Sequence, residues 1–181
     1  YAVFPSSPAL QLAYTESLAM LLLCGYLLAL RRERWLVATA LAVLIGLSRP
    51  IAVPLGLVTL VAVWLRWRRR HTDALSGPEA GSMLAALLGC AVAGLLWPAL
   101  AWRGTGEPGA YFSTMGAWSS GGRVRFFLPW LDMSKWLYGD LGIVVIAALL
   151  VAIVAGMGGP WAARLDPVLR VWPVAYALYV M

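Results

Sequence analysis

The sequence predicts an all-α polytopic membrane protein with about six membrane segments in a helical bundle, and three observations predict it. Of 181 residues, 62% are hydrophobic and 12% are charged, with a mean hydropathy of +0.80. A soluble domain carries about twice that charged fraction. The apolar residues fall in long runs separated by short basic loops. The 10 Trp and 7 Tyr suit a chain with aromatic anchors at both membrane faces.

The whole chain, 1–181, reads as a single transmembrane domain cut at both ends. It opens at Tyr1 without a basic leader, and it stops at Met181 inside an apolar run shorter than the roughly 20 residues a span needs. The first segment is expected over residues 8–30, with Ser7 as cap and Pro8 at the first helical position. Residues 35–48 and 50–66 follow, separated by Ser48-Arg49-Pro50. They form either one kinked helix or a hairpin. The basic clusters at 31–34 and 66–70 should share the cytoplasmic side, which requires an even number of crossings between them. The hairpin is therefore expected. A polar stretch over 71–82 contains Gly77-Pro78 as a breaker, and the fourth segment spans 83–102 with an interruption at Trp97-Pro98. The fifth is expected over 140–158, where Ala148, Ala152 and Gly156 make a small-residue face for helix packing. The sixth runs over 171–181. The segment 103–139 is left as an outer loop.

The net charge of +6 comes almost wholly from arginine. Nucleic acid is a poor partner for it, because the basic residues sit in short loops between apolar runs. Nine arginines fall on the expected inner side (31, 32, 34, 66, 68, 69, 70, 164 and 170). Arg49, Arg103, Arg123, Arg125 and Lys135 remain outside, an excess of positive charge that points to an anionic ligand there. Cys24 and Cys90 lie in apolar sequence and behave as small hydrophobes, with no disulfide framework and no metal spacing.

Glu16 and Arg49 are ionisable residues set in otherwise apolar sequence. A charge at the centre of a membrane helix costs roughly 2.5 to 3.5 kcal/mol even on the lenient scale, so such residues usually mark a functional site. Both are expected at the outer face, where they can share one polar site. The competing reading is two side chains near helix ends that reach interfacial water.

Gly104-Thr105-Gly106-Glu107-Pro108-Gly109 matches the dinucleotide fingerprint on paper, but that motif needs a strand before it and a helix after it. Here it follows a membrane helix and is rejected as a turn. His71, the only histidine, reads as a solvated residue beside Arg68, Arg69 and Arg70. In the outer loop, Tyr111, Phe112, Trp118, Phe126, Phe127, Trp130 and Trp136 interleave with Arg123, Arg125, Asp132 and Lys135. Aromatic rings stack on sugar faces, and arginine binds phosphate through its planar fork. An amphipathic helix around residues 126–138 that only anchors the loop at the interface is the alternative, and the two are compatible.

The pieces Phe4-Pro5-Ser6-Ser7-Pro8, Ala13-Tyr14-Thr15-Glu16-Ser17-Leu18, Leu47-Ser48-Arg49-Pro50 and Gly94-Leu95-Leu96-Trp97-Pro98 occur in this order. Tyr111-Phe112-Ser113-Thr114-Met115-Gly116-Ala117-Trp118 and Phe127-Leu128-Pro129-Trp130 follow them. Together they resemble the PIG-V-like mannosyltransferases, bacterial relatives of GPI mannosyltransferase 2 among the GT-C membrane glycosyltransferases. The resemblance runs over nearly the whole chain, and the Tyr-Thr-Glu-Ser and Ser-Arg-Pro pair is its strongest part.

The resemblance implies a GT-C-type bundle in the bacterial plasma membrane. It implies transfer of a hexose, mannose first, from a polyprenyl-phosphate donor to a glycan or lipid acceptor on the outer face, with no cofactor. Enzymes of this type place an acidic catalytic residue in the first outer loop. That loop would lie upstream of Tyr1, which leaves the catalytic residue unknown and Glu16 a candidate. Substrate binding is expected at Tyr14, Glu16, Arg49, Trp118, Arg123, Arg125 and Lys135. The rival is a polytopic transporter or flippase for a lipid-linked or anionic substrate, which would also set ionisable residues in the membrane; no internal repeat favours it.

Overall fold

The computed structural model describes residues 15–117, 128–160 and 162–180. Among the described residues the fold is all-helical, with no strand. The helices are α1 (Glu16–Arg31), α2 (Trp35–Ser48), α3 (Ala52–Arg68), α4 (Gly77–Thr105), α5 (Ala110–Ala117), α6 (Leu128–Tyr138), α7 (Gly142–Gly158) and α8 (Pro167–Val180). The chain divides into two units, 1–97 and 98–181.

In the first unit α2 and α3 are separate helices joined through Arg49, whose backbone is extended. They run antiparallel, because Arg49 at their junction bonds Glu16 while Arg66 at the far end of α3 lies against Glu33 just before α2. Small residues set the packing. A methyl built on Gly46 of α2 would sit 2.7 Å from the Ala93 Cα of α4, and one on Gly89 would sit 2.8 Å from Thr39 Cγ2. Ala38, Ala42 and Gly46 recur every four residues on α2, which lets the two backbones approach closely.

A buried polar knot lies among α1, α3 and α4. The hydroxyls of Tyr26 and Thr59 bond each other. Both lie within hydrogen-bond distance of the Leu55 carbonyl (3.0 and 2.9 Å), so one donates to it and the other to its fellow hydroxyl, and both lie near Cys90 Sγ (3.4 and 3.3 Å). Every polar atom there has a partner, as burial demands.

In the second unit α6 folds back on α7 through a turn at Gly139, which has a φ of +61° and so suits a residue without a Cβ. Ser134 donates to the Gly142 carbonyl (2.8 Å), and a side chain at 142 would run into the Ser134 backbone. Arg170 donates twice to the Met157 carbonyl (3.1 and 2.8 Å) and so satisfies the end of α7.

Several boundaries depart from the sequence expectation. α4 begins at Gly77 rather than 83, because Ser76 caps it: Ser76 Oγ accepts from the Glu79 N–H (3.3 Å), and Pro78 falls in the first turn, where no donor is missed. It also runs through Pro98 without ending. Residues 103–139 are not one loop; they hold the end of α4, α5 and α6. α8 starts at Pro167 rather than 171, with Asp166 Oδ1 accepting from the Val168 N–H (2.9 Å). The stripe Ala148, Ala152 and Gly156 is exposed, with nothing within 4 Å of a Cβ at Gly156. The close small-residue packing is on α2 and α4 instead.

By length and composition, two helical stretches among the described residues suffice to cross a membrane, Gly77–Thr105 and Leu131–Gly158. The second contains the Gly139 turn, so its straight part is the 17 residues of α7. Within the described residues α1, α2, α3 and α8 have 16, 14, 17 and 14 residues, short of the usual span.

Candidate functional site

Glu16 opens α1, and Arg49 closes α2. The turn at Ser48-Arg49-Pro50 exists because Pro50 cannot continue a helix and biases Arg49 to extended backbone. That conformation sends the chain back along α3 and puts Arg49 at the level of the α1 start. Arg49 Nη2 donates to Glu16 Oε1 in an ion pair, with side chains 40% and 37% exposed. The two isolated charges of the sequence are thus one constellation. The other carboxylate oxygen, Glu16 Oε2, is shielded from solvent and has no partner among the described residues. A buried acceptor left unmet costs about 1 to 3 kcal/mol, so a donor is called for at that atom.

This arrangement can hold an anion and a hydroxyl side by side. A guanidinium carries five N–H donors, and one carboxylate oxygen occupies only part of that fork. A phosphate oxygen can share Arg49, and a sugar hydroxyl can donate to Glu16 Oε2. Among the described residues no group of three or more His, Cys, Asp or Glu side chains could hold a metal.

Of the other expected site residues, Lys135 alone falls within the described residues. Lys135 is exposed on α6, in the second unit. Tyr14, Trp118, Arg123 and Arg125 lie outside the described residues. A helix does form over the stretch expected to anchor the outer loop, and its Trp136 is 80% exposed. The Gly104–Gly109 hexapeptide lies at the turn between α4 and α5, with Gly106 at a φ of +77°. His71 is exposed, in the short turn after α3.

Sequence reasoning missed a second charged constellation, at the opposite end of the first unit. Arg66 belongs to the 66–70 basic cluster expected on the cytoplasmic side, yet its side chain is only 4% exposed. Its Nε and Nη2 donate to the two oxygens of Glu79 (2.6 and 2.8 Å), and Nη1 donates to the Asp73 carbonyl (3.1 Å). The Asp73 and Glu33 carboxylates stand 3.5 and 3.4 Å away. Glu33 also pairs with Arg69. Glu33 itself has a φ of +56°. It closes α1 where glycine is usual: the Glu33 N–H bonds the Leu30 carbonyl and the Arg34 N–H bonds that of Ala29. The signal was available, since Glu33, Asp73 and Glu79 are the only acids between Glu16 and Glu107 and all lie in the two arginine-bearing polar stretches.

Comparison with known proteins gives no match among family models, curated proteins or solved structures.

Proposed function

We propose that this chain is part of a multi-pass glycosyltransferase of the bacterial plasma membrane. Its described helices would belong to a GT-C-type bundle of about six segments. It transfers a hexose, mannose first, from a polyprenyl-phosphate donor to a glycan or lipid acceptor at the outer face. The observation that carries this reading is the Glu16–Arg49 pair. It joins the two strongest pieces of the family resemblance, and it lies at the end of the first unit away from the arginine-rich turns. The two apolar stretches support the membrane setting.

The chemistry is a displacement at the anomeric carbon. The acceptor oxygen forms the new bond, the bond to the donor phosphate breaks, and a carboxylate takes the acceptor's proton. Arg49 stabilises the charge gathering on the departing phosphate. Glu16 orients Arg49 or a sugar hydroxyl; acting as the base itself is its second possible role. Trp118, Arg123, Arg125 and Lys135 would hold the donor in the outer loop, and Tyr14 would stand beside Glu16 in sequence.

The test is sugar transfer by the full-length protein in membranes. Radiolabelled mannose is offered on a polyprenyl phosphate in one reaction and on a nucleotide in another. Transfer from the lipid donor alone is expected. Transfer from the nucleotide donor alone, or net movement of intact lipid-linked sugar without transfer, would overturn the reading.

A further inference from the structure

The three acids at the arginine-rich end of the first unit are all taken up. Glu79 and Asp73 face Arg66, and Glu33 is shared between Arg66 and Arg69. Arg32, Arg34, Arg68 and Arg70 are then left without a carboxylate among the described residues. Two of them stand over half-exposed tryptophans: the Arg68 guanidinium is 4.8 Å from the Trp64 ring and that of Arg70, whose Nη1 also donates to the Trp67 carbonyl (3.1 Å), is 3.4 Å from the Trp67 ring. Stacking uses the face of the guanidinium and leaves most of its N–H edge available for an anion. Tryptophan is the residue expected at headgroup depth.

The same end of the first unit carries an open cavity of about 570 Å³. It is lined by Arg34, Trp35, Leu36, Val37, Pro78 and Ser82, together with Glu33 and Glu79, which already bond arginines. Trp35 is 3% exposed, and its indole N–H has no acceptor among the described residues. Leu36 is 67% exposed and gives the cavity an apolar edge. The Glu33–Arg69 bond joins the cavity lining to the residue between Arg68 and Arg70.

We infer that this end of the first unit binds the headgroup of an anionic phospholipid. Arg34, Arg68 and Arg70 face its phosphate, and the cavity beside Leu36 and Val37 receives the start of its acyl chains. Free phosphate would satisfy the cations but would make no use of the apolar edge or the ring pair. The site needs the membrane setting proposed above, and does not need the transfer chemistry.

The experiment uses the full-length protein in detergent, titrated with dansyl-labelled phosphatidylglycerol and read by energy transfer from tryptophan. Dansyl-phosphatidylcholine is the neutral comparison. Each arginine near a membrane surface changes anionic-lipid affinity by about fivefold, so R68Q/R70Q should lose about 25-fold for phosphatidylglycerol and little for phosphatidylcholine. R68K/R70K should recover most of the preference, because charge remains. Equal affinity for the two lipids in wild type, or a preference untouched in R68Q/R70Q, overturns the inference. So does loss in both variants alike, which marks a folding effect. Full competition by equimolar inorganic phosphate assigns the cations to free phosphate and also overturns it. Carbonate extraction is run in parallel: release of the wild-type protein from membranes rejects the membrane setting separately, whatever the titration shows.

Discussion

Arg66 and Glu79 meet through two parallel hydrogen bonds, one from Nε and one from Nη2, at the junction of α3 with the start of α4. Glu79 is also the third residue after the cap Ser76, so one carboxylate ties a helix start to a neighbouring helix end. Removing one partner of such a pair leaves the other charge stranded. Arg66→Met is therefore expected to lower the thermal midpoint of the purified protein strongly. Arg68→Met, an exposed neighbour, should lower it by little. Equal shifts in the two melts would remove Arg66 from the structural core.

The Glu16–Arg49 pair predicts the opposite balance. Its side chains are about 40% exposed, so its worth to stability is on the order of 1 kcal/mol or less. We expect Glu16→Gln and Arg49→Met each to abolish most transfer activity with normal expression. The double variant should be much less than additively worse, because either change dissolves the same constellation. A double-mutant cycle on kcat/KM checks this. Fully additive losses would mean two independent sites, and wild-type rates in both singles would leave two snorkelling side chains.

Glu33 offers a test of backbone conformation. A left-handed residue with a Cβ costs roughly 1 to 2 kcal/mol, which glycine avoids. Both Glu33→Ala and Glu33→Gly lose the bonds to Arg66 and Arg69, so the difference between them isolates the backbone. Glu33→Gly should be the more stable by about 1 kcal/mol. Thermal melts read in parallel check it, and the reverse order would contradict a left-handed Glu33.

Close helix packing predicts unequal responses to the same substitution. Gly46→Val and Gly89→Val each force a side chain into backbone or Thr39 and should destabilise by about 1 to 3 kcal/mol. Gly156→Val meets open space and should change little. Similar losses at all three positions, measured by denaturation in detergent, would mean that the α2–α4 approach is not as close as described.

Apolar runs were easy to find because they are written in composition, and the α2–α3 reversal was legible in charge because arginine clusters bracket it on both sides. Helix starts were harder. Ser76 with Glu79 and Asp166 with Pro167 are capping signals, yet Gly77-Pro78 was weighed as a breaker and the start of the sixth run was set by hydropathy alone. The juxtaposition of Glu16 and Arg49 was legible, since two lone charges in apolar sequence have few other partners. Burial of Arg66 was not, because a run of Arg66, Arg68, Arg69 and Arg70 looks uniform until helical rotation separates its faces. The choice of α2 and α4 for small-residue packing was also hidden: Ala-rich stripes occur on several helices, and only the partner's shape selects one.

The meeting of Tyr26, Thr59 and Cys90 bears on how such greasy helices find a single alignment. Rods coated in leucine and alanine can slide or roll past one another at little cost, because one apolar neighbour is as good as the next. Three polar atoms on three different helices coincide at only one combination of height and rotation. A slip of one turn, about 5.4 Å, would leave each of them facing apolar side chains. The knot thus acts as the index mark of the first unit, and it sets the pose that its broad apolar surfaces merely hold.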